Sequence, residues 1–105
     1  VTSQEALMYA DIEMDLTTFR VKRSGRYISL GPTEYRLLRH FLENPKRVYS
    51  REQLLDAVWG PDIVVEARTV DVHIRRLRKA LNSENGADLI RTVRSAGYAL
   101  EKPLS

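Results

Sequence analysis

Hydrophobic and polar residues alternate through the first third of the chain. Ile12, Met14 and Leu16 are spaced by two, as are Phe19 and Val21, and again Ile28 and Leu30. A period of two puts successive side chains on opposite faces of a strand. Residues from about Tyr9 to Leu30 are therefore predicted to form a small antiparallel sheet with one face on a core. Arg23-Ser24-Gly25-Arg26 interrupts the last two runs and reads as a hairpin turn. At Pro32-Thr33 the period becomes helical: Leu37, Leu38, Phe41 and Leu42 share one face, with Tyr35 toward its side. Thr33 is expected to cap the first turn, and Asn44-Pro45 to end the helix, since the residue before a proline avoids the helical region. Val48-Tyr49 is a short extended piece. Ser50-Arg51-Glu52-Gln53 has the spacing of a capping box, and Leu54, Leu55, Val58 and Trp59 carry the apolar face of a second helix that Gly60-Pro61 stops.

A third helix is expected over roughly Ala67 to Leu81, followed by a polar loop from Asn82 to Asp88. Leu89 to Val93 and Tyr98 to Leu100 then read as two strands joined by Arg94-Ser95-Ala96-Gly97. The predicted order is small sheet, three helices, hairpin. That is an α+β arrangement of winged helix-turn-helix type, with an N-terminal antiparallel sheet and a C-terminal β-hairpin wing.

The third helix is the most informative stretch. At about 100° per residue, Val70, Ile74, Leu77 and Leu81 gather on one side and should enter the core. The opposite arc collects Arg68, Thr69, Val72, Arg75, Arg76 and Lys79, with His73 and Arg78 flanking the apolar stripe and only Asp71 opposing the positive charge. Each type suits a major groove. Arginine's planar fork can bond guanine O6 and N7 together, and a small apolar residue such as Val72 can meet a thymine methyl. Thr69 can bond base or phosphate, while Arg75 and Lys79 suit phosphates. The plainer alternative is a solvated helix face, with basic residues favoured at the C-terminus by the macrodipole. Val72 argues against it, because a β-branched residue amid cations gains nothing from solvent. Arg94, at the tip of the expected wing, adds a basic point of the kind drawn to a narrow minor groove.

Composition changes this picture little. The 105 residues carry a net charge of +3 and no cysteine, which excludes disulfides and thiolate chemistry. The length suits one domain spanning 1–105, with 1–6 read as a linker remnant. No membrane span or signal peptide is evident, and a cytoplasmic location is expected. His73 and His40 have no metal-ligand spacing, so neither metal nor cofactor is expected, and His73 is more readily a hydrogen-bonded structural residue. Trp59 reads as core or as exposed beside the following loop, where Ile63-Val64-Val65 is an unusual apolar run. That run either folds back on the core or forms a protein-contact surface. A winged helix used mainly for protein contacts is the alternative to DNA binding. An enzyme is not expected, since no nucleophile elbow, phosphate-binding glycine loop or paired-histidine motif is present.

The chain also resembles a known family. Leu30 to Tyr35, Val48 to Leu55, Val58-Trp59-Gly60, Arg68 to Lys79 and Thr92-Val93-Arg94 are similar to the DNA-binding effector domain of the OmpR/PhoB response regulators, most of all its phosphate-regulon members. The resemblance implies a transcription activator that binds tandem direct repeats of double-stranded DNA, one protomer per half-site. It implies a preceding receiver domain, absent from this chain, that is phosphorylated by a sensor kinase. Groove-reading positions matched on the third helix are Arg68, Thr69, Val72, His73, Arg75, Arg76 and Arg78, and Thr92 and Arg94 match wing positions contacting backbone and minor groove. The loop from Trp59 through Gly60 and Val65 to Glu66 matches one that meets the sigma subunit of RNA polymerase. Two departures stand out: Ala67 occupies a position where the pattern carries aspartate, and Ser95 one where it carries glycine.

Overall fold

A computed structural model describes residues 6–62, 65–82 and 88–102. Four antiparallel strands follow one another in sequence order: β1 (Ala6–Tyr9), β2 (Ile12–Asp15), β3 (Arg20–Arg23) and β4 (Arg26–Ile28). Met14 pairs with Val21, and Ile12, Met14 and Val21 face inward with at most 2% of their surface exposed. The sheet begins earlier than the alternation indicated, because Ala6 already belongs to β1, and Leu7 and Tyr9 pack against the core. Phe19 departs from its expected strand position. The Asp15 carboxylate accepts hydrogen bonds from the amides of Thr17 and Thr18 at 2.8 and 3.2 Å, closing a tight side-chain turn. The chain leaves that turn with Phe19 at φ +59°, and its ring is 67% exposed, edge-on to Tyr35. Leu16 and Leu30 lie outside the strands yet still pack on the core.

The hairpin turn is shorter than expected, and Arg23 belongs to β3 rather than to the reversal. Its guanidinium is buried, with Nη1 donating to the Leu81 carbonyl at 2.8 Å and to Asn82 Oδ1 at 2.9 Å, while Nε pairs with Asp11. Leu81 ends the third helix, where carbonyls lack intrahelical donors and a cation is favoured. Arg23 thus ties the sheet to that helix end.

Helix α1 (Pro32–Glu43) starts one residue before the expected cap. Gly31 occupies the cap position in extended conformation without a side-chain bond, and Pro32 opens the first turn. Proline's fixed φ and missing N–H suit that place, so the hydroxyl of Thr33 is not needed and lies inside the helix. Leu37, Leu38, Phe41 and Leu42 are buried as the stripe required, and α1 packs against β1, the third helix and the wing. Helix α2 (Arg51–Leu54) carries the full capping box: Gln53 N–H donates to Ser50 Oγ and Ser50 N–H to Gln53 Oε1. Beyond Leu54 the helix widens into a π-helical turn, Leu55–Trp59, ended by Gly60 at φ +97°.

Helix α3 (Arg68–Leu81) buries Val70, Ile74, Leu77 and Leu81. Ala67 sits at its cap with no side chain able to bond the first amides. Strands β5 (Ile90–Val93) and β6 (Gly97–Leu100) form the C-terminal hairpin, with Thr92 opposite Tyr98. Tyr49 and Tyr98 exchange backbone hydrogen bonds at 2.8 and 2.9 Å, and Lys46 N–H donates to the Leu100 carbonyl. The hairpin is thereby stitched to the connection between α1 and α2. The result is the winged-helix architecture, with α3 and the wing side by side.

Candidate nucleic-acid interface

The buried stripe of α3 turns its other side to solvent. Arg68, Val72, Arg75, Arg76 and Lys79 are exposed there, and Thr69 is half-buried at the edge. Val72 keeps 41% of its surface exposed in the middle of this arc. Arg68 is held by Glu66 through an exposed pair at 2.6 Å. Arg75, Arg76 and Lys79 have no ion pair among the described residues, which leaves three cationic side chains around one apolar one.

The flanking residues have other partners. His73 Nδ1 lies 2.7 Å from Glu34 Oε2, and its ring is 5.3 Å from that of Trp59. Burial works against ionisation of Glu34. The His73 hydrogen bond, its own backbone amide and the charges of His73 and Arg76 outweigh it, so the carboxyl is held below the usual glutamate range. One imidazole therefore joins α1, the π-helical turn and α3. Arg78 turns toward the wing, donating through Nη2 to the Ile90 carbonyl at 2.8 Å and to Thr92 Oγ1, with its guanidinium over the Tyr98 ring. Asp71, the one acidic residue of α3, accepts from the Tyr98 hydroxyl and pairs with Arg51 Nε at 3.2 Å. Burial first, then the Asp71 hydrogen bond and charge, push the Tyr98 phenol above its ordinary value.

On the wing, Thr92, Arg94, Ser95 and Ala96 are all exposed. Ser95 adopts φ +67°, the left-handed conformation that glycine supplies without strain, and Ala96 N–H closes the turn on the Val93 carbonyl. Between the wing and the start of α2 runs an open cleft of about 430 Å³, lined by Ser50, Arg51, Thr92, Arg94 and Ser95 among others. Periodicity did not single out Arg51, because it occupies a helix start and its partner Asp71 is twenty residues away.

The loop after α2 is divided. Trp59 is half-buried on the core and against His73, which favours the packed reading over the exposed one. Val65 is 37% exposed, Glu66 is exposed on Arg68, and Ile63 and Val64 lie outside the described residues. Among the described residues there is no cluster of three metal-ligating side chains and no helix long and apolar enough to cross a membrane.

Comparison with known proteins agrees with this geometry. The family described as "Transcriptional regulatory protein, C terminal" matches residues 25–100. The phosphate regulon transcriptional regulatory protein PhoB of Rhizobium meliloti is 61% identical over 95 residues, which cover 90% of this chain and 42% of that protein. The chain thus spans about two-fifths of the length of the curated relatives it matches. Among solved structures, the DNA-binding domain of the response regulator AdeR, in complex with an intercistronic region, superposes with a TM-score of 0.82 at 31% identity, covering 91% of this chain and 99% of that one. DrrB of Thermotoga maritima, an OmpR/PhoB homologue, gives 0.79 at 33% identity, covering 91% and 44%. These relatives are transcriptional regulators rather than enzymes. A winged helix matched by this family across most of its length belongs to it: the chain is a C-terminal effector domain of the OmpR/PhoB response regulators.

Proposed function

We propose that this domain regulates transcription by binding double-stranded DNA sequence-specifically, with α3 in the major groove and the wing at the neighbouring minor groove. The observation that carries this reading is the outer face of α3, where Arg75, Arg76 and Lys79, none in an ion pair among the described residues, stand exposed around exposed Val72. Fourteen helical residues span about 21 Å, and a groove about 12 Å wide admits a helix presented edge-on. In this reading Arg68, Thr69, Val72 and Arg76 meet base edges, Arg75, Lys79 and Thr92 meet the backbone, and Arg94 enters the minor groove. His73 and Arg78 take part from the margins, since both already hold neighbouring elements.

Salt dependence tests it. With Arg75 and Lys79 each neutralising a phosphate, the log–log slope of affinity against salt is expected near −1.8 per domain, roughly a tenfold loss between about 50 and 200 mM. A flat profile would return the basic face to solvent and favour a module that contacts only proteins.

Family membership supports a wider assignment for the full-length protein: a receiver domain addressed by a sensor kinase, tandem direct repeats as targets, and phosphate-regulon genes as the output. The loop from Trp59 and Gly60 to Val65 and Glu66 is assigned to the sigma subunit of RNA polymerase, and exposed Val65 supports a contact there. Val65→Asp is expected to reduce reporter activation severalfold while leaving DNA affinity unchanged. Trp59 is unsuited to this experiment, because its ring packs on His73 and its loss would disturb α3. Unchanged activation by Val65→Asp would remove that side chain from the contact.

A further inference from the structure

We propose that Arg78 does not itself meet DNA but acts through Thr92, as a positioning residue that aims the threonine hydroxyl at a backbone phosphate. This inference rests on the DNA-binding reading above and assigns the chemistry of one of its contacts.

The guanidinium of Arg78 is committed on three sides. Nε and Nη2 both reach the Ile90 carbonyl, at 3.3 and 2.8 Å, Nη2 also donates to Thr92 Oγ1, and the plane lies 5.7 Å from the Tyr98 ring centroid. Asp88 adds a carboxylate oxygen 3.7 Å from Nε. A cation so bound to the wing strand is poorly placed to swing out toward a phosphate. Arginine's rigid fork spans a carbonyl and a hydroxyl together, which a lysine ammonium on a flexible stem does not reproduce.

The consequence falls on Thr92. A hydroxyl has one proton to donate and two lone pairs to accept with. Here an accepting position of Thr92 is occupied by a cationic donor, and its proton has no acceptor among the described residues. Hydrogen bonds from a charged donor polarise the group that accepts them and strengthen the bond that group makes in turn. Thr92 is exposed, lies two residues from Arg94, and lines the cleft between the wing and the start of α2. An anionic oxygen arriving there meets a hydroxyl already oriented as a donor. Asp71, one heptad earlier on α3, holds the Tyr98 hydroxyl, so the strand pair is fixed to α3 at two points and the hydroxyl's place is set by the helix.

A double-mutant cycle on the full chain, read with a mixed-sequence duplex at low ionic strength, tests this. A phosphate contact needs no particular sequence. Thr92→Val is expected to weaken binding roughly tenfold, as loss of a charge-assisted hydrogen bond does. Thr92→Ser should bind as wild type does. Arg78→Lys should weaken binding by a similar factor in the wild-type background and have almost no effect in the Thr92→Val background, with thermal unfolding confirming that each variant folds. Equal effects of Arg78→Lys in both backgrounds would overturn the proposal, since Arg78 would then act independently of the hydroxyl. So would wild-type affinity in Thr92→Val. If the wild-type chain bound no duplex at all, the functional reading would fall as well, which separates the two failures.

Discussion

Alanine in place of Gly97 is expected to lower the unfolding free energy by about 3 kcal/mol or more and to detach the wing from the helical core. A Cβ at this position would lie 1.9 Å from the Tyr49 carbonyl oxygen and 2.9 Å from the Ser50 Cα, both backbone atoms that no rotamer change can move. The residue also adopts φ +141°, a conformation L side chains rarely occupy. The close approach has a purpose, because next to Gly97 the Tyr49 and Tyr98 backbones exchange the two hydrogen bonds that fasten the hairpin to the α1–α2 connection. Gly25→Ala provides the comparison. Gly25 also has positive φ, but nothing lies within 4 Å of its would-be Cβ, so only the conformational cost of about 1 kcal/mol remains. Chemical denaturation of the two variants should separate these effects, and equal losses would show that the contact with Tyr49 is not what fastens the wing.

Arg76→Ala is expected to reduce affinity for a selected target by about 1–3 kcal/mol while reducing affinity for random duplex far less. The side chain is exposed, has no ion pair among the described residues, and follows the buried Ile74 on the helix by two positions, so it points away from the core. Its charge does help to hold the Glu34 carboxyl ionised, so thermal stability is to be measured alongside binding. Lys79→Ala is the control: a phosphate contact should weaken both duplexes alike and reduce the salt slope by about one. If Arg76→Ala lost affinity equally on both duplexes, Arg76 would be an anchor rather than a reader of sequence.

The parts of this molecule that periodicity can express were readable before any coordinates. The stripe Val70, Ile74, Leu77 and Leu81 is a local, repeated burial signal, and it oriented α3 correctly because the same face is buried at every turn. The capping box at Ser50 and the turn between β5 and β6 are likewise short-range chemistry. What escaped the reading depends on residues far apart in the chain. Arg23 looked like a turn residue because its partners, Leu81 and Asn82, lie almost sixty positions on. Glu34 was not singled out, since only folding brings His73 to it across thirty-nine residues. Asp71 looked like a stray opposing charge, yet it ties Tyr98 and Arg51 to α3. Phe19 was misplaced for a different reason: its hydrophobicity fitted the alternation, but the Asp15 turn rotated it outward. The arginines of α3 show the same limit. Periodicity set Arg78 at the flank of the apolar stripe, apart from Arg75 and Arg76, but its partners, the wing's carbonyl and hydroxyl, lie twelve and fourteen residues on.

The central claim is that the outer face of α3, with the wing beside it, is the surface that meets DNA. Amide chemical-shift mapping during titration with a duplex selected from a random pool tests it most directly. The largest changes are expected at Thr69, Val72, Arg75, Arg76 and Lys79 and at Thr92 to Ala96, with β1 to β4 nearly unaffected. Largest changes on the four-stranded sheet, with the amides of α3 unmoved, would contradict the account.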